Sequence, residues 1–342
     1  MTTSLTSISE LEDRLSEPTT RVIDSIARGA GDLIVLGAAG KMGPTLARMA
    51  QRAVQAAGVR RRVVAVSRFS TPGAREAFEA RGLQTIACDL LDRAAVAALP
   101  DAGDVVFMAG MKFGATGRAA LTWAENCLLP GYICERYSSS RIVAFSTGNV
   151  YGLVPAGSGG SRETDDPAPA GEYAMSCLGR ERIFEYFSQT RGVPTSILRL
   201  NYACELRYGV LVDLATRVAA GDPIDLTMGY LNAIWQGDAN AMALCAFDAG
   251  TSPPAILNVA GLDELSVRSV ALSLGRLLRR SVTFSGQEAP DALLSDGRKA
   301  AGLFGAPQVS PDTMIRWIAE WHMAGGATLG KPTRFEVRDG RF

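Results

Sequence analysis

Leu33-Ile-Val-Leu-Gly37-Ala-Ala-Gly40-Lys41-Met42-Gly43-Pro-Thr-Leu-Ala-Arg-Met-Ala50 decides the fold. The first four residues read as a short apolar strand, and the last eight carry apolar side chains at helical spacing. Between them, glycines 37, 40 and 43 form a G-x-x-G-x-x-G turn. The first glycine permits a tight turn, the second lets backbone approach a pyrophosphate, and the third lets helix pack on strand. The helix start then offers unpaired N–H groups to the phosphates. With the strand before and the helix after, Gly37, Gly40, Lys41, Met42 and Gly43 read as a dinucleotide-binding loop.

The rest of the chain has an ordinary globular composition. Its 342 residues suffice for two lobes, and a formal net charge of zero argues against nucleic acid or an anionic membrane as partner. Residues 1–10 are polar and no apolar run approaches a membrane span, so the expected location is the cytoplasm. Cysteines 88, 127, 134, 177, 204 and 245 show no C-x-x-C spacing and read as reduced thiols. The single histidine, His322, lies in a helix, which disfavours a serine–histidine triad or a histidine metal site; no metal is expected.

Outward from the loop, strands alternate with helices. Strands are expected at 32–36, 62–66, 84–88, 105–109, 141–146 and 196–201, with 255–259 as a further sheet strand. This βαβα rhythm predicts an α/β fold with a doubly wound parallel sheet. The expected divisions are a helical arm over 1–31, a Rossmann domain over 32–202 with 234–262 returning to it, a smaller mixed lobe from 203–233 and 263–330, and a tail over 331–342. The arm opens with the capping box Ser7-x-x-Glu10. At the second strand end, where an acidic residue binds the ribose hydroxyls of NAD, stand Ser67 and Arg68. They favour a 2′-phosphate, hence NADP, with NAD as the alternative. Asp89 and Leu90 close the third strand beside the adenine position, and Ala109 ends the fourth.

Ile142-Val-Ala-Phe-Ser146-Thr147-Gly148-Asn149-Val150-Tyr151-Gly152, Glu163-Thr-Asp-Asp-Pro167 and Gly171-Glu-Tyr173-Ala-Met-Ser176-Cys177 follow. With the glycine loop, they resemble the extended short-chain dehydrogenase/reductases, the NAD-dependent epimerase/dehydratase family, over roughly 32–320. The resemblance implies that Thr147 binds the reacting oxygen and Tyr173 exchanges its proton. Asn126 matches the asparagine of the central helix, and Asn201 and Arg207 fall where substrate contacts begin. It also implies a sugar-like small-molecule substrate and a homodimer built from helices 117–136 and 173–189.

Two departures matter. The family carries a lysine four residues after the tyrosine, and this chain has Cys177. That lysine lowers the tyrosine pKa through its charge, and a neutral thiol supplies none. Only four of the 35 basic residues are lysines, at 41, 112, 299 and 331. Lys112, just past the fourth strand, and Arg180, on the tyrosine's helix face, are the candidates to restore the charge. After Thr147, Gly148 and Asn149 replace the acid/base groups that dehydration requires, which disfavours a dehydratase. The expected activity is oxidoreduction or epimerisation by hydride transfer, reduction favoured because a neutral tyrosine already holds its proton. The alternative is a catalytically silent NAD(P)-binding sensor or scaffold.

Overall fold

The computed structural model describes residues 4–112 and 117–341. Seven strands form one parallel sheet: β1 (Leu33–Leu36), β2 (Val63–Ser67), β3 (Gln84–Ala87), β4 (Asp104–Phe107), β5 (Arg141–Thr147), β6 (Thr195–Leu200) and β7 (Ala255–Val259). Their order across the sheet is β7-β6-β5-β4-β1-β2-β3. The direction of winding reverses between β1 and β4, and a doubly wound sheet opens its ligand crevice at that point.

Successive strand side chains point to opposite faces, so each face builds its own core. Leu33 and Val35 pack with Val22 and Ile26 of α2 (Thr20–Arg28), Leu46 and Ala50 of α3 (Gly43–Ala57), and Met242. Ile34 and Leu36 pack on the other side with Phe107, Ile133 and Phe184. Ile133 belongs to the helical run 119–136, here α4, and Phe184 to the long helix α5 (Gly171–Arg191). Burying each such side chain contributes roughly 1.5–3 kcal/mol. Strand β4 stops at Phe107 rather than 109. Ala109 leaves the ladder to lie under Gly37, where a Cβ would stand 2.6 Å from its nitrogen.

A second core gathers Leu206, Val210, Leu214, Val270, Leu274, Trp317 and Ile318. Leu11 and Leu15 of the first arm helix, α1 (Ile8–Leu15), and Phe335 of the tail also pack there. The arm is thus more than an attachment to the sheet, because α2 packs on the sheet-side core while α1 joins the second one. The tail runs back over the second core: Leu329 N donates to Arg207 O (2.9 Å), and Thr333 donates to Asp213 Oδ2 from its nitrogen (2.7 Å) and hydroxyl (2.6 Å). The described residues contain no helix long and apolar enough to cross a membrane.

One buried polar network fixes α5 on the sheet. Arg199 of β6 pairs with Glu181 of α5 (2.7 Å) and donates to the Tyr151 hydroxyl (2.7 Å). That hydroxyl donates to Asn258 of β7 (3.0 Å), and Ser146 of β5 donates to Glu181 (2.5 Å). Both charges are paired and hydrogen-bonded, the condition under which burial is tolerable.

Candidate active site

A cleft lies over the strand ends at the winding reversal. Gly37, Gly40, Ser67, Arg68, Asp89 and Glu125 are among its lining residues. Two of the three glycines are demanded by the protein's own packing. A Cβ on Gly37 would strike Ala109, and one on Gly43 would sit 2.0 Å from Ala38 O. Gly40 differs: a Cβ there would meet only Gly37 O, at 3.4 Å. The missing side chain at 40 leaves room for something outside the chain, as a dinucleotide pyrophosphate requires. Helix α3 begins beside it with Met42 as N-cap and no side-chain cap, which leaves first-turn N–H groups for phosphate oxygens. These residues fit the nicotinamide dinucleotide.

Other expected cofactor contacts sort less uniformly. Ser67, Arg68, Leu90 and Ala109 line the cleft. Asp89 lines it too, but its Oδ1 already accepts from Leu91 N (3.0 Å). Lys41 turns toward the second core, with Nζ 3.3 Å from the Tyr208 ring centroid. Burial, then the neighbouring Lys112 and Lys331 charges, lower its pKa to about 7.

The residues expected to transfer the proton converge at the end of β5. The Tyr173 side chain shares this place with Thr147 and Cys177, both of which act on its pKa. Thr147 Oγ1 accepts from Asn149 N (3.2 Å) and Nδ2 (2.9 Å), which keeps its own hydroxyl proton available to donate. Lys112 Nζ stands 5.6 Å from the Tyr173 ring centroid. Burial holds the Tyr173 pKa far above its ordinary value and Cys177 adds to this, against the downward pull of Arg180 and Thr147. Burial lowers Lys112 to about 8, opposed by Cys177. The Cys177 thiol is itself pushed up by burial, so it is no ready thiolate.

Asn126 organises the support. It sits in a π-helical turn, Ala124–Leu128, within α4. The widened turn is closed by Leu129 N donating to Ala124 O, five residues back. Asn126 Oδ1 accepts from Met111 N (3.0 Å), and Nδ2 donates to Met111 O (3.1 Å) and Ser176 Oγ (2.9 Å). One side chain thereby ties the segment carrying Lys112 to the helix carrying Tyr173.

Two expected substrate residues have other partners. Arg207 is held by Glu205 (3.1 Å) and by Glu12 of the arm (3.3 Å), so its guanidinium is already matched by carboxylates. Asn201 is buried and donates to Asn232 (2.9 Å). Sequence reasoning missed Glu125, which lines the cleft 3.4 Å from Arg68. Its adjacency to Asn126 was the available signal. The described residues hold no His/Cys/Asp/Glu group suited to a metal ion.

A model of the NAD dependent epimerase/dehydratase family matches residues 33–224. Among solved structures, UDP-glucuronic acid 4-epimerase from Bacillus cereus in complex with NAD superposes with a TM-score of 0.69 at 18% identity, covering 85% of this chain and 98% of that one. UDP-glucose 4-epimerase from Thermotoga maritima with UDP-glucose gives 0.70 at 18% identity, covering 86% and 99%. The dTDP-glucose 4,6-dehydratase from Streptomyces venezuelae with NAD gives 0.71 at 20%, covering 85% and 97%. No curated protein sequence matches the chain. With more than half of its length matched by the family model, the chain belongs to the NAD dependent epimerase/dehydratase family.

Proposed function

We propose that the protein is an NAD-dependent oxidoreductase or epimerase acting at a carbinol or carbonyl carbon of a sugar-derived substrate, with reduction the favoured direction. The observation that carries this reading is the gathering of Thr147, Tyr173 and Lys112 at one place, with Lys112 Nζ 5.6 Å from the Tyr173 ring centroid. When bound, the dinucleotide supplies or accepts the hydride at the substrate carbon. Thr147 holds the substrate oxygen. Tyr173 gives that oxygen its proton as the carbonyl becomes an alcohol, and the phenolate left behind is reprotonated from solvent. In oxidation the same proton returns to a phenolate. Because burial and Cys177 keep the phenol protonated, the donor role needs no prior ionisation. The relatives that bind UDP- and dTDP-sugars support a sugar nucleotide as the substrate class.

Dehydration is disfavoured. Asn149 is engaged with Thr147, and a side chain at Gly148 would press on Ser295 Oγ (2.9 Å) and Asn201. For the cofactor we favour NAD, against the expectation drawn from Arg68. Glu125 supplies near Arg68 the carboxylate that the strand end lacks, and it would repel a 2′-phosphate. Exposed Leu121, Trp123, Leu128, Met175 and Tyr186 on α4 and α5 support a homodimer, although Leu129 and Phe184 complete the monomer core. Six free cysteines suit a reducing compartment such as the cytoplasm.

The test is NAD(H) turnover against UDP-sugars, dTDP-sugars and their keto forms. Turnover with one class identifies the substrate. Tight NAD binding with no turnover of any of them overturns the enzyme reading in favour of a cofactor-binding sensor.

A further inference from the structure

Arg180 lies on α5, two helical turns beyond Tyr173, and is 6% exposed. Its Nη1 donates to Phe145 O (2.8 Å), two residues before Thr147, and its Nη2 donates to Asn126 Oδ1. The guanidinium carbon stands 5.6 Å from the Phe107 ring centroid. Nε is buried with no hydrogen-bond partner among the described residues. The equally buried Arg61 and Arg199 each pair with a carboxylate, Asp104 at 2.6 Å and Glu181 at 2.7 Å. No carboxylate among the described residues stands within ion-pair distance of Arg180; the adjacent Glu181 is turned to Arg199 and Ser146.

A buried guanidinium held only by neutral acceptors is costly to the fold, so its retention asks for a reason. The backbone is shaped to receive it. Gly110, at the floor of the cofactor cleft, has φ +155°, and a Cβ there would stand 2.0 Å from Arg180 Nη2. From this guanidinium a hydrogen-bonded chain runs through Asn126 and Ser176 Oγ to the Tyr173 carbonyl (2.9 Å).

We propose that Arg180 is the permanent cation of the proton-transfer site, a positioning residue that stabilises the Tyr173 phenolate and replaces the charge absent at Cys177. This deepens the proposed role of Tyr173 and rests on it. The Arg180 charge acts on both Tyr173 and Cys177, drawing each toward its ionised form. Unlike Lys112, a guanidinium keeps its charge throughout the working pH range.

The experiment needs no substrate. Trifluorotyrosine at position 173 lowers the phenol pKa into an accessible range, and ¹⁹F NMR follows its titration. Arg180→Met should raise the midpoint by about 1–2 pH units, the effect of removing a nearby opposite charge, and Arg180→Lys should recover most of that shift. A midpoint unmoved in Arg180→Met overturns the proposal. If Arg180→Met does not fold, Cys177→Lys/Arg180→Met decides. A folded double variant titrating near the parent midpoint supports the proposal; one that also fails to fold, or titrates well above the parent, overturns it. Failure of the underlying reading is separate: full turnover by Tyr173→Phe removes the proton-transfer role whatever the ¹⁹F midpoint does.

Discussion

The glycine loop and the proton-transfer site lie on one sheet, yet they relate to the family's pattern in opposite ways. At the loop every glycine stands where the motif puts it, and two of the three are enforced by contacts within 3 Å. At the proposed proton-transfer site Thr147, Tyr173 and Cys177 meet, Lys112 Nζ stands 5.6 Å from the Tyr173 ring centroid, and the proposed cations are Lys112 and Arg180. The loop binds by backbone, which tolerates few solutions. The proton-transfer site needs a charge near a phenol, and a charge can reach that point from several elements. Geometry is the scarcer resource in the first region, electrostatics in the second.

The largest expected effect separates the two regions outright. Tyr173→Phe keeps the ring and removes the proton, so turnover should fall roughly 10²–10⁴-fold while NADH affinity stays within about twofold. Steady-state rates and fluorescence titration of NADH check it. Equal loss of both would mean that the tyrosine serves the cofactor cleft rather than the chemistry. Within the loop, Gly40→Ala should lower NADH affinity about tenfold or more with an unchanged urea midpoint, because no protein atom opposes the new Cβ. Gly43→Ala should instead destabilise the fold, since its Cβ meets the Ala38 backbone at 2.0 Å. Loss of stability in both variants would erase the distinction between a glycine kept for ligand and one kept for packing.

This contrast also explains what could be read from sequence. Six expected strands and the added seventh all appear, within two residues at their ends, because strand periodicity and glycine turns are local signals. The expected roles of Thr147 and Tyr173 rest instead on the family resemblance of the motifs around them. Arg207 was not legible: its partners Glu205 and Glu12 come from its own turn and from a helix 195 residues away. Glu125 escaped notice because a carboxylate on a helix usually faces water, and only the π-turn and the packing of α4 bring it to the cleft. Lysine scarcity and its place after the fourth strand single out Lys112 as a candidate, but nothing in the chain announced that Asn126 would hold its neighbour Met111 by both backbone groups.

A smaller effect tests cofactor choice within the loop region. Glu125→Ala should leave Arg68 open to a 2′-phosphate and shift the NADPH-to-NADH affinity ratio toward NADPH by about twofold to fivefold, the scale of a part-exposed charge contact. The wild type should prefer NADH. A wild type that prefers NADPH would instead mean that Arg68 serves the phosphate despite Glu125.

The smallest expected effect concerns Lys112 and separates it from a permanent cation. Burial lowers its pKa to about 8, against about 10.4 in an unfolded chain. Between those values the unfolded state binds more protons than the folded one, so this group makes stability rise with pH across that window. Below pH 8 both states hold the charge and its burial penalty is complete. Lys112→Met removes the penalty, so the variant should be more stable than wild type at pH 7, with the gap closing as pH climbs from 8 to about 10.5. Turnover should behave in the opposite sense. The protonated amine supports the phenolate left by Tyr173, so Lys112→Met should slow reduction about threefold below pH 8 and match wild type above pH 9. Urea midpoints and pH–rate profiles on the two proteins measure both trends. A gap in rate that persists above pH 9 would show that the lysine acts by its shape rather than by its charge, leaving the electrostatic work at this site to the arginine beneath Gly110.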